Sequence, residues 1–142
     1  MTTAAIRPRP SAAGSSQPDL AFTAYRLADI GLVRRRLTEA LRMCECIEPL
    51  IDTAVLLATE LLGNALRHAA PGGRPLVVRL DMHWNGRGLT LAVSDPDPRV
   101  PAARTAAPDA ESGRGLELLE ALAARWGTRP TATGKTVWCV IS

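Results

Sequence analysis

The sequence predicts an α+β fold, a two-layer sandwich in which a mostly antiparallel sheet carries its helices on one face. Three observations lead there. The segments "PLVVRLDMHW" (75–84) and "GLTLAVSD" (88–95) read as strands and are joined by Asn85-Gly86-Arg87, a hairpin signal. Segments with apolar residues at helical spacing lie on both sides of that hairpin. The order strand, helix, helix, hairpin, long loop, helix, strand then sets runs of neighbouring strands against interposed helices, which pack as two layers.

Taken along the chain, "LAFTAYR" (20–26) alternates enough to be a strand, with Phe22 and Tyr25 as its candidate large packers. From Asp29 to Cys46, Ile30, Val33, Leu37, Ala40, Leu41 and Cys44 recur on one side of a helix, with Arg34 and Arg35 on the other. Pro49 suits the first turn of a second helix, where its missing N–H costs nothing. That helix runs to Ala69 and stops before Pro71-Gly72-Gly73. Residues 96–112 form a long connection rich in Pro, Ala and Arg, of a length that is uncommon without a function. A third helix is expected over Gly115–Trp126, and "TVWCVIS" as the last strand, entered through Thr133-Gly134-Lys135.

The chain of 142 residues is read as one domain, 20–142, behind a disordered tail, 1–19. With 46% hydrophobic and 4% aromatic residues, its core must be mostly Leu, Val and Ala. A net charge of +3, partly from Arg7 and Arg9 in the tail, is too dispersed for nucleic acid. No uninterrupted apolar run reaches the roughly 18 residues of a membrane span, and residues 1–19 lack the apolar core of a secretory signal. Cys44, Cys46 and Cys139 have neither the number nor the spacing of a disulfide framework or zinc site, so a reduced, cytoplasmic chain is expected.

The chemistry centres on "ATELLGNALRHAA" (58–70). At about 100° per residue, Ile51, Ala54, Val55, Ala58, Leu61, Leu62, Ala65 and Leu66 cover the core side, whereas Glu60, Asn64, Arg67 and His68 share the opposite one. A solvated face would explain that stripe. Two features favour a binding face: Leu56 and Leu57 project into the same sector one turn earlier, and Gly63 interrupts the helix at a cost of about 1 kcal/mol, as if something approached the backbone.

The stripe is followed by a strand ending in Asp95 and, after the long loop, by Gly113-Arg114-Gly115 opening a helix. In that order, "TELLGNALRHA" resembles the N-box of the GHKL (Bergerat-fold) ATPase and kinase superfamily, "VSDPDPR" its G1 box and "ESGRGLELLEALAARWG" its G2 box. The ending "GKTVWCVI" makes the chain look most like the stand-alone anti-sigma factor serine/threonine kinases.

The resemblance implies ATP and Mg2+ as cofactors, Asn64 as the metal ligand and Glu60 as the catalytic base for an attacking hydroxyl. It implies that Asp95 accepts a hydrogen bond from the adenine 6-amino group. Gly113, Arg114, Gly115 and Leu116 would meet the phosphates at the start of the third helix, where backbone N–H groups and the helix dipole favour anions. Arg67, His68 and Thr136 are further candidates at the site's edge. By the same resemblance the partners would be a sigma factor and an anti-anti-sigma (STAS-type) protein, with a homodimer possible. The chain departs from the pattern in two places: Asp-x-Gly of the G1 box becomes Asp95-Pro96-Asp97-Pro98, and Glu117 follows Leu116 where a glycine is common. The first departure removes the close approach to a purine and leaves open a second reading, an interaction module with a degenerate nucleotide site.

Overall fold

The computed structural model of the protein describes residues 5–8, 19–67, 76–97 and 114–142. Among the described residues, six strands and three α-helices follow one another as β1 (Ala5–Pro8), β2 (Asp19–Ala24), α1 (Ile30–Met43, entered through a 3-10 turn at Leu27–Asp29), α2 (Glu48–Arg67), β3 (Val78–Trp84), β4 (Leu89–Asp95), α3 (Arg114–Leu122), β5 (Arg125–Pro130) and β6 (Lys135–Ile141). The strands form one sheet in the order β1-β2-β3-β4-β6-β5, and every neighbouring pair is antiparallel.

Alternation along the strands sorts their side chains onto two faces. Val78, Leu80 and Met82 of β3, Leu89, Leu91 and Val93 of β4, and Val137, Cys139 and Ile141 of β6 are all buried on one of them. That face is covered by α2, which packs on β3, β4 and β6, with α1 against β2 and α3 against β5. Phe22, Leu37, Leu41, Ile51, Leu57, Leu62 and Leu119 complete the core. The α+β sandwich read from the sequence is thus the observed architecture.

α2 is long and apolar enough to cross a membrane by length and composition. Leu50, Ile51, Ala54, Leu57, Ala58, Leu61, Leu62 and Leu66 are nevertheless buried in the protein itself, as befits a core helix lying on a sheet. α1 hands over to α2 through a tight turn. Glu45 adopts a left-handed conformation (φ 61°), with the Cys46 N–H donating to the Leu41 carbonyl and the Glu45 N–H to that of Arg42. This is the double C-capping pattern normally made with glycine. The β3–β4 hairpin closes on Asn85, whose Oδ1 accepts from the N–H groups of Arg87 (2.9 Å) and Gly88 (2.7 Å).

Three elements differ from expectation. Ala5–Pro8, read as part of a disordered tail, pairs antiparallel with β2. The third helix ends at Leu122 instead of Trp126, because Trp126 belongs to β5, opposite Cys139. Leu57, assigned by its angle to the polar sector of α2, is fully buried, while Leu56 beside it is exposed.

Candidate functional site

Glu60 and Asn64 stand one turn apart on α2, both half-buried, at the margin between the face packed on the sheet and the solvent. Glu60 makes no hydrogen bond or ion pair among the described residues. The Asn64 Oδ1 is buried and has no hydrogen-bond partner there either. Buried polar atoms nearly always find partners, so this amide oxygen is a candidate to accept from a donor or cation that the described residues do not supply.

α3 packs against α2 at that point. Gly115, in the first turn of α3 and buried, lies so close to Asn64 that a Cβ on it would overlap the amide Nδ2, with the Leu61 methyl Cδ2 4.0 Å away. Only glycine leaves room for the amide there. The helix terminus beside it carries backbone N–H groups that α3 cannot satisfy internally. The N-box asparagine and the G2-box glycine expected from the sequence are therefore neighbours.

Asp95 closes β4 on the same side of the sheet as the helices and is 7% exposed. Its Oδ1 accepts from the Asp97 N–H (2.8 Å) and from Lys135 Nζ (3.1 Å), and Lys135 also donates to the Asp97 carbonyl (2.9 Å). Register explains the pairing: Asp95 lies opposite Lys135 at the end of the β4–β6 ladder, so the two side chains share a face. Gly134 allows it, since a Cβ there would overlap the carbonyl oxygen of Asp95 and the backbone of Pro96. In the sequence Lys135 reads as part of the turn before the last strand, and only the strand register brings it beside Asp95.

The remaining candidates fall variously. Leu116 is half-buried against the core behind Gly115. Thr136 is buried, but its hydroxyl bonds Ser94 Oγ (2.8 Å) on the opposite face of the sheet from Asp95, so it is not part of this group. The Arg67 guanidinium folds back over Gly63, 3.5 Å from where a Cβ would stand; the close approach inferred at Gly63 is made by the chain's own arginine at ordinary contact distance. Arg114 opens α3. His68 and Gly113 lie outside the described residues.

The chain matches the family model of the histidine kinase-like ATPase domain over residues 23–141, and it belongs to that family, a GHKL-type domain. It is 41% identical over 83 residues to an uncharacterised protein of Streptomyces coelicolor, a stretch covering 57% of this chain and 77% of that one. Among solved structures it resembles the histidine kinase domain of the blue-light activated histidine kinase of Erythrobacter litoralis EL346, with a TM-score of 0.52 and 22% identity, over 79% of this chain and 60% of that one. A longer structure of the same kinase gives 0.53 and 22%, over 79% and 41%. The chain thus spans less than two thirds of the kinase structures it matches, and the likeness is one of fold.

The family's nucleotide can be tested against the residues present. The amide oxygen without a partner among the described residues fits a site for a metal-bridged phosphate, while Gly115 is accounted for by its packing against the Asn64 amide. Among the described residues no group of three or more His, Cys, Asp or Glu could hold a metal. If a Mg2+ ion is held here, Asn64 is the residue that would hold it, and the ion would supply neutralisation of phosphate charge.

Proposed function

We propose that the protein binds Mg-ATP between α2 and α3 and transfers its γ-phosphoryl group to a serine or threonine of a small antagonist protein, in the manner of an anti-sigma factor kinase. The observation that carries the nucleotide site is the orphaned Asn64 Oδ1 beside Gly115. Mg2+, when bound, would neutralise phosphate charge. The chain's own part is positioning: Asn64 fixes the metal, the amides opening α3 face the phosphates, and Glu60 faces the incoming hydroxyl. As the hydroxyl oxygen forms its bond to the γ-phosphorus, the bond to the β–γ bridging oxygen breaks and ADP departs. The hydroxyl proton passes to the Glu60 carboxylate, which has no internal partner among the described residues to hold it away.

The protein side of the reading rests on the sequence resemblance. The phosphorylated partner would be an anti-anti-sigma protein of STAS type, the alternative partner a sigma factor, and the compartment the cytoplasm where both reside. Labelled ATP incubated with a candidate antagonist should yield phosphoserine or phosphothreonine, and Glu60→Gln should abolish transfer while sparing nucleotide binding. Loss of binding in that variant would remove the role given to Glu60.

A second reading has its own support. Asp95, the carboxylate expected to meet adenine, is already engaged by Lys135 and Asp97. An interaction module that has given up nucleotide would tolerate such a contact. Thermal-shift measurement with Mg-ATP separates the two readings, since only the first predicts a rise in Tm.

A further inference from the structure

We infer that Lys135 sets the base selection of the nucleotide site, placing an ammonium beside Asp95 so that 6-amino and 6-oxo purines are accepted nearly alike. The inference rests on the reading of this region as a nucleotide site and goes beyond it to the class of base. An ionised carboxylate is an acceptor only, so a bare aspartate at the purine end welcomes a 6-amino group and repels a 6-oxo oxygen. Asp95 is not bare. Its Oδ1 already accepts twice, from the Asp97 N–H at 2.8 Å and from Lys135 at 3.1 Å.

What remains at this edge is one acceptor and one donor. The Asp95 Oδ2 makes no hydrogen bond among the described residues. Lys135 has three N–H groups and spends two, on Asp95 Oδ1 and on the Asp97 carbonyl at 2.9 Å. With side chains only 12% and 4% exposed, the two charges offset each other in a largely dry setting and cannot drift apart into water. Their geometry is fixed from behind by Gly134, whose lack of a Cβ lets the β5–β6 turn press on the Asp95–Pro96 backbone.

A 6-amino group then donates to Oδ2, and a 6-oxo group accepts from Nζ. Strong discrimination by a polar site comes from leaving one of its groups unpaired with the wrong ligand. Here each ligand pairs one of the two groups and leaves the other, so the penalties are similar and neither base is strongly rejected.

Inosine triphosphate is the probe, because it differs from ATP only at position 6 and in the protonation of N1. Isothermal titration of the full chain with the Mg2+ salts of both should give dissociation constants within about threefold of one another. Lys135→Met, which keeps the alkyl stem and removes the donor, should favour ATP by about tenfold or more, while Lys135→Arg should keep near-parity. A wild-type preference for ATP above about tenfold overturns the inference, as does near-parity persisting in Lys135→Met. If Lys135→Met does not fold, the wild-type ratio alone decides. Binding of neither triphosphate by the wild type would overturn the nucleotide site itself, an outcome distinct from a failure of the selection rule.

Discussion

The amide of Asn64 lies against Gly115, so that the N-box of α2 and the first turn of α3 meet at a point where one extra carbon would not fit. Glycine in a helix usually weakens it. Gly115→Ala should therefore improve helix propensity yet destabilise the protein, by about 1–3 kcal/mol, because the new methyl must displace Asn64 or push α3 away from α2. Urea denaturation measures the loss. A stabilised variant would mean that the two helices are not in contact there.

Gly63 gives the opposite expectation on the same helix that carries Asn64. A Cβ there meets only the tip of the Arg67 side chain, at 3.5 Å, an ordinary contact with a group able to move. Gly63→Ala should raise stability by about 0.5–1 kcal/mol, through helix propensity and a less flexible unfolded chain. Measured beside Gly115→Ala under identical conditions, the pair distinguishes a glycine needed for close packing from one that is not.

Lys135 and Asp95 form an ion pair with little access to water. Removing one partner strands the other: Lys135→Met should cost about 3 kcal/mol, and Asp95→Asn somewhat less because the amide still accepts a hydrogen bond. The double variant should be less destabilised than the sum of the two, with a coupling of about 1–3 kcal/mol. Additivity within error would place the two side chains out of contact.

Burial pushes the Cys139 thiol up to about 11 from an ordinary 9.0, with a backbone hydrogen bond at Leu91 offsetting part of the effect. The folded state thus holds that proton more tightly than the unfolded one. The associated stability is complete below about pH 9 and is lost as pH rises towards about 11, at no more than about 1.4 kcal/mol per unit. Cys139→Ala should flatten the alkaline limb of the stability profile relative to wild type. At neutral pH a thiol reagent should modify the half-buried Cys44 and Cys46 while the protein is folded, and Cys139 only after unfolding.

The parts of this architecture that were legible from sequence have a strong local period. β3, β4 and their Asn85-Gly86 turn follow from alternation and turn chemistry, and α1 and α2 from apolar stripes whose buried members are largely those the wheel selects. β5 was not legible, because "LELLEALAARW" continues a helical pattern past Leu122 and Gly127 and Pro130 weaken the strand signal. Its meaning is tertiary: Gly127 lies under the Trp138 ring, where a Cβ would come within 2.8 Å of Cζ2.

The motifs name Asn64 and Gly115, which the fold makes neighbours, and they do not name Lys135. The signal for Lys135 lay in strand pairing, since setting Leu89, Leu91 and Val93 opposite Ile141, Cys139 and Val137 brings Asp95 opposite Lys135. The same pairing sets Thr136 opposite Ser94, on the other face, which a motif read one residue at a time does not reveal.

Whether the unpartnered oxygen of Asn64 holds a metal-bridged nucleotide is decided by calorimetric titration of the wild type and Asn64→Ala with Mg-ATP. Binding by the wild type should be saturable, with a loss of about tenfold or more in the variant and no such loss when ADP is titrated without Mg2+. Equal affinity of the two proteins for Mg-ATP, or no heat from the wild type at millimolar nucleotide, would contradict it.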